Sequence, residues 1–432
     1  MPDYKKKKVN RLRGAPRPKK TKHSAMPENE DIVMTHTPAK RRSAPKKAEK
    51  PLTNMRVVNG NKLERKRRLS ISFSAVAVAA VIAIVLHLIL PVGIFENVQN
   101  LSALIGSGSY PAEINSTEVL NAVSRGNYYY VLTDTRLSAY SNGGKEIYSY
   151  SHGFENPVLK TSKTRALIFS QGGNEALIYN LANIKSTIST EKEIITANIS
   201  DSGTYAIVTR SDSYASVVSI YNKNDKLVYE WYSSEDTVNN VAISPNGKKI
   251  AVSAFNATSG DYSAKVCVLS FDSATPEFTE NYTGLPVYGI ETVSNSRFSV
   301  ITENGIQFIK WSKFQKTEYK NDYSAAMLRF SSRGSVAVFN RSSDKTDNRI
   351  AVFNSNGGLK GEFEFKGIIS DIQIRGGHIY CISDTDVYLL SEDGEVLRSA
   401  ECGFGAVRIS VIGTNSVAVI TDNQIYRIQL EQ

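Results

Sequence analysis

The side chains best able to hold a metal or attack a bond are few and scattered in this chain. Of its five histidines only His152 and His378 lie beyond residue 90, each alone in its neighbourhood, and no Cys/His pair has metal-ligand spacing. Both are read as structural or turn residues. No Gly-x-Ser-x-Gly elbow occurs, and loose Ser/His/Asp combinations in so Ser-rich a chain specify no nucleophile. Asp384-Thr385-Asp386 and Glu392-Asp393-Gly394-Glu395 concentrate carboxylates, but neither shows the spaced oxygen ligands and closing Glu of a calcium loop, so hairpin turns are expected. Cys267, Cys381 and Cys402 make an odd count; three buried free thiols are expected, because Cys381 and Cys402 are separated by an intervening strand. The sequence therefore predicts no catalytic residue, cofactor or metal.

Recognition chemistry is better represented. Tyr, Trp and Arg suit interface anchors, since they bury large area and keep a polar handle. A binding face is predicted from Phe154, Glu155, Tyr214, Trp231, Glu235, Asp236, Phe255, Asp261, Tyr262, Arg341 and Arg349. These lie on or beside connections of unequal length: Arg210 to Ser216, Phe255 to Ala264 and Asn340 to Arg349 are long, whereas Glu303-Asn304-Gly305 is minimal. Unequal loops on a rigid scaffold are where recognition is generally placed.

The scaffold can be read from a repeat. Short apolar strands separated by turns begin near Val119, Pro157, Ile194, Val238, Val287, Ala325, Ile369 and Ala406, a period of about 40 residues with four strands in each cycle. The turn and second strand recur most clearly at Ser200 to Val208, Ser244 to Val252 and Ser331 to Val338. Cores such as Ile250-Ala251-Val252 and Val417-Ala418-Val419 are continuously apolar, as strands covered on both faces must be. The last cycle has only three strands, and Tyr110 to Ile114 is the candidate for the fourth. The expected fold is an all-β, eight-bladed β-propeller closed by an N-terminal strand, or seven-bladed if one irregular cycle has been split.

Ahead of the propeller, Leu69 to Leu90 holds 22 residues without formal charge, long enough for one membrane-spanning helix. Residues 1–68 carry 22 Lys/Arg against 6 Asp/Glu, a net of +16 in a chain of +10, leaving −6 for the rest. Excess basic charge beside a span is retained in the cytoplasm, which puts the tail inside and the propeller outside the cell. The tail is expected to be disordered, with Arg65, Lys66, Arg67 and Arg68 drawn to anionic headgroups of the bilayer. Its single aromatic, Tyr4, provides no stacking platform, so no specific nucleic acid is expected. The domains read as 1–68 basic tail, 69–90 span, 91–109 stalk with the flexible Gly106-Ser107-Gly108-Ser109, and 110–432 propeller.

Tyr110-Pro111-Ala112-Glu113-Ile114, His152 to Lys160, Trp231 to Glu235 and the Ser244-Pro245-Asn246-Gly247-Lys248 turn resemble the bacterial domain-of-unknown-function family 5711 (DUF5711). WD40 repeats are a poorer match, because no Trp-Asp dipeptide ends a strand. The resemblance implies a single-span protein with an extracytoplasmic propeller, and it supplies no activity. The function expected is a non-enzymatic scaffold or sensor that binds an envelope protein or cell-wall glycan. The alternative is a surface hydrolase acting on glycan or peptide through paired carboxylates in the propeller channel.

Overall fold

The computed structural model describes residues 73–86, 90, 92–258 and 261–431. The basic tail, with Arg65, Lys66, Arg67 and Arg68, lies outside the described residues, as do 69–72 and 87–89 of the expected span. Residues 73–86 are helical; among the described residues no helix is long and apolar enough to cross a membrane.

Eight four-stranded antiparallel sheets follow one another along the chain. Blade 1 comprises Val119–Arg125, Tyr128–Thr133, Arg136–Ser141 and Glu146–Ser151. The first strands of blades 2 to 8 are Pro157–Thr161, Ile194–Ile199, Thr237–Ile243, Val287–Thr292, Ala325–Ser331, Ile369–Arg375 and Arg408–Gly413, within two residues of every start expected from the repeat. First strands of neighbouring blades lie against one another, and the ring closes where blade 8 meets blade 1. The missing strand of blade 8 comes from the N-terminal side, as expected. Ala112–Glu113 pairs with Gln424–Gln429 in the register Ala112↔Ile425, and the Ile114 amide donates to the Asn423 carbonyl at 2.8 Å.

Burial follows position within each blade. The second strand of blade 1, Tyr128–Thr133, is buried at every residue because neighbouring blades cover both its faces, whereas the outermost strand of blade 3, Leu227–Ser233, alternates exposed and covered residues. Six first strands carry a β-bulge near their start, which takes Leu120, Ile195, Asn239, Tyr288, Ala326 and Ser370 out of register. A bulged residue is left unpaired and its side chain is re-aimed.

Strand direction gives the ring two unlike ends. Turns between first and second strands and between third and fourth strands share one end, here called the turn face. Second-to-third loops and blade-to-blade connections share the other, the loop face. Within the segment read as a stalk lies a helix, Ile94–Ala103, and its contacts are with the turn face. Glu96 and Arg165, 6% and 1% exposed, meet in a two-pronged pair, Nε to Oε1 and Nη2 to Oε2 both at 2.6 Å, while Arg165 Nη1 donates to the Lys223 carbonyl at 3.0 Å. Asn100 donates to the Thr164 carbonyl at 3.2 Å and accepts from the Leu181 amide at 2.8 Å. Carbonyls at the helix C-terminus have no partner within the helix, and Lys145 Nζ satisfies that of Ala103 at 3.0 Å, together with Ile105 just beyond at 2.6 Å. The expected flexible spacer is also packed: a Cβ on Gly108 would stand 2.0 Å from the Lys145 amide nitrogen, so glycine serves close backbone approach there.

Candidate binding face

The structure gathers part of the predicted face and disperses the rest. Phe255 to Ala264, expected as a loop, continues the strands: Lys249–Thr258 pairs with Asp261–Ser270 in unbroken register out to Thr258↔Asp261. The period-2 alternation of apolar residues runs on through the predicted loop, so the hairpin extends instead of opening. Phe255 and Tyr262 are diagonal neighbours on it, their rings stacked at 6.1 Å and half-buried beside Leu285. Asp236 forms an ion pair with Lys265, and the exposed Glu235 accepts at its carbonyl from Asn256 Nδ2 at 3.2 Å. Tyr214 packs its ring 4.9 Å from that of Tyr232, both exposed. The Tyr232 hydroxyl donates to Glu230 Oε2 at 2.9 Å, and this carboxylate holds the phenol pKa above its ordinary 10.0.

Arg341 and Arg349 come together across blade 6 in a groove of about 610 Å³ that Leu285, Asn321 and Tyr323 also line. Arg341 is paired with Glu364, and Arg349 with Glu362 at 3.1 Å. The groove therefore offers guanidinium groups already steered by carboxylates, next to an exposed phenol.

Two predicted residues do not belong to this face. Phe154 is buried in the core between blades 1 and 2, and its amide donates to His152 Nδ1 at 3.0 Å while His152 Nε2 faces the Thr133 carbonyl at 3.2 Å. The connection folds inward at Phe154 because it carries an apolar ring and its own acceptor, while Glu155 remains exposed. Trp231 lies in the outermost strand opposite Val218, half-buried against the core of blades 3 and 4, and walls a shallow groove on the flank of the ring with Phe271.

Sequence reasoning missed several exposed members of the loop face. Tyr288 (55% exposed) is the bulged residue of blade 5; Tyr323 (43%), Ile368 (46%) and Phe404 (92%) sit on successive blade connections. Phe404 stands between Gly403 and Gly405, whose φ values of 71° and 82° suit glycine and lift the ring clear of the surface. The Gly-Phe-Gly triplet was the available signal. Isolated aromatics elsewhere in a blade look alike whether they point in or out.

In the channel, charged side chains join blades. Lys160 of blade 2 reaches Glu291 of blade 5 at 3.1 Å. Asp371 is fully buried and accepts from Arg329 Nη2 at 2.9 Å and the Ile409 amide at 3.1 Å, tying blades 6, 7 and 8. Arg125 and Arg408 donate to the carbonyls of Thr161 and Leu120 in the next blade, each at 2.9 Å. Among the described residues no three His, Cys, Asp or Glu side chains gather as a metal site, and Cys267, Cys381 and Cys402 are buried and free.

No curated protein matches the chain. Among solved structures, that of BamB from Moraxella catarrhalis is similar at 13% identity and a TM-score of 0.49, over 75% of this chain and 100% of that one. The eight-bladed ring is established here by the strand pairing itself. A family model described as a family of unknown function, DUF5711, matches residues 108–430, from just before the closing strand to just past the last strand of blade 8; the chain belongs to the DUF5711 family.

Proposed function

We propose that this protein is a non-enzymatic, single-pass membrane protein whose extracytoplasmic propeller binds an envelope protein through its loop face, as a scaffold or sensor. The observation that carries the reading is the row of exposed Tyr288, Tyr323, Ile368 and Phe404 on the loop face, beside the Arg341 and Arg349 groove. Large exposed apolar side chains next to Tyr and Arg are the composition of interface hot spots. Anchoring and orientation are inferred from the uncharged run Leu69 to Leu90 and the +16 tail before it. The observed channel acids are engaged in interblade pairing, and no observation favours the hydrolase reading over binding.

The test is in-cell crosslinking of the full chain, followed by mass spectrometry of what is captured with the wild type and with a Phe404→Ser/Tyr323→Ser variant. A specific envelope protein captured by the wild type and lost with the variant is expected. Equal capture by both would dismiss the loop face. Capture of cell-wall glycan in place of protein would transfer the site to a carbohydrate ligand.

A further inference from the structure

The helix Ile94–Ala103 is inverted relative to a helix in water. Its polar residues Glu96 and Asn100 are buried against the propeller, while Phe95, Val98 and Leu101 are 79%, 59% and 67% exposed. A surface helix of a soluble domain turns its apolar stripe to the core and its polar face outward. Here the buried polar face is fully satisfied by Arg165, Thr164 and Leu181, so the arrangement is built. Ile105 continues the apolar stripe at 72% exposure. At the same end of blades 2 and 3, the starts of the outermost strands add Ile184 and Leu227, 44% and 43% exposed.

We propose that the outer leaflet of the lipid bilayer covers this stripe, so that the helix is an interfacial foot seating the turn face on the membrane and leaving the loop face pointing away. The inference rests on the reading of Leu69 to Leu90 as a span. Chain continuity selects the occupant. Side chains of helical residues 73–86, among them Phe73, Val76, Val78, Val81 and Ile84, are largely exposed. Leu90, at the end of that run, accepts at its carbonyl from Lys223 Nζ at 3.4 Å on the turn face, and Val92 is buried beside Gly203. From Leu90 to Ile94 the chain reaches at most about 14 Å. A helix tethered that closely to the end of a spanning segment lies in the headgroup region, where an apolar face sinks roughly 5–10 Å into the boundary of the acyl chains.

The test uses the full chain in phosphatidylcholine/phosphatidylglycerol vesicles, with an environment-sensitive fluorophore on Val98→Cys and, as the control on the opposite face, on Tyr323→Cys. The native cysteines are buried, so the label goes to the introduced thiol. The expected result is a blue-shifted emission at position 98, quenched several-fold more by a nitroxide lipid labelled near the headgroup than by one labelled deep in the chains. The same label should be protected from aqueous iodide, while position 323 is quenched by iodide alone. Iodide quenching at position 98 equal to that at 323, in protein that resists alkaline carbonate extraction, overturns the foot and leaves the span standing. Protection from iodide without lipid quenching overturns it in favour of a second copy. Release by carbonate overturns the span and the foot with it.

Discussion

Removing the carboxylate of Glu96 tests how the helix is held. Arg165 is 1% exposed and places three donors: two on Glu96 at 2.6 Å and one on the Lys223 carbonyl at 3.0 Å. In Glu96→Leu the guanidinium remains inside with two donors unsatisfied, and breaking one side of a buried pair costs about 3–5 kcal/mol. In Arg165→Met the carboxylate is stranded at similar cost. The double variant Glu96→Leu/Arg165→Met replaces the pair by apolar side chains of similar length, so its loss should be smaller than either single loss, with a coupling of at least about 3 kcal/mol. The assay is hydrogen exchange by mass spectrometry on peptides covering residues 94–103 of the solubilised full chain. If this pair dominates docking, single variants should lower protection there by roughly two to three powers of ten, while strands on the far side of the ring, such as Val336 to Phe339, keep theirs. Single variants with wild-type protection, or single losses that simply add in the double variant, would refute the clasp.

Three further outcomes follow from buried groups. Burial lowers the His152 pKa below its ordinary 6.5, so the unfolded chain binds the proton more readily; stability is full above that value and is lost as pH falls below it, a slope that His152→Gln should flatten in thermal melts between neutral and mildly acidic pH. Asp371→Ala strands the Ile409 amide and Arg329 and should cost about 3 kcal/mol, read as a lower urea midpoint, with Asp371→Asn losing less because an acceptor remains. Burial raises all three thiols, Cys402 to about 11, so roughly one part in a thousand of it is thiolate at pH 8; alkylation should be negligible in the folded protein and reach three groups after denaturation.

The repeat of blades was legible in the residues, and the strand pairing decided eight blades over seven. Blade starts from Val119 to Ile369 were legible because a strand packed on both faces must be apolar at every position, as Ala206-Ile207-Val208 and Val417-Ala418-Val419 are, and because most turns signal themselves with Gly, Asn or Ser. The closing strand Ala112–Glu113 followed from counting, since a ring with a three-stranded last blade has to find a fourth. Placement on the loop face was only partly legible. Tyr214 and Arg341 are placed by local loop length, which the sequence records, whereas Phe255, Tyr262 and Arg349 sit on strands that extend through the expected loops; Phe404 has glycine on both sides as a signal, but nothing local tells that Phe154, beside a single glycine, is 8% exposed against 92% for Phe404. That distinction belongs to the tertiary structure, because exposure is decided by what a neighbouring blade brings alongside. The same holds for Lys160 with Glu291, which meet across the channel from blades 2 and 5, and for Glu96 with Arg165, 69 residues apart in the chain. A charged residue on a short helix after an apolar run reads as solvated; only a guanidinium delivered by a turn of blade 2 makes it stable inside, and only that burial turns the apolar side of the helix outward.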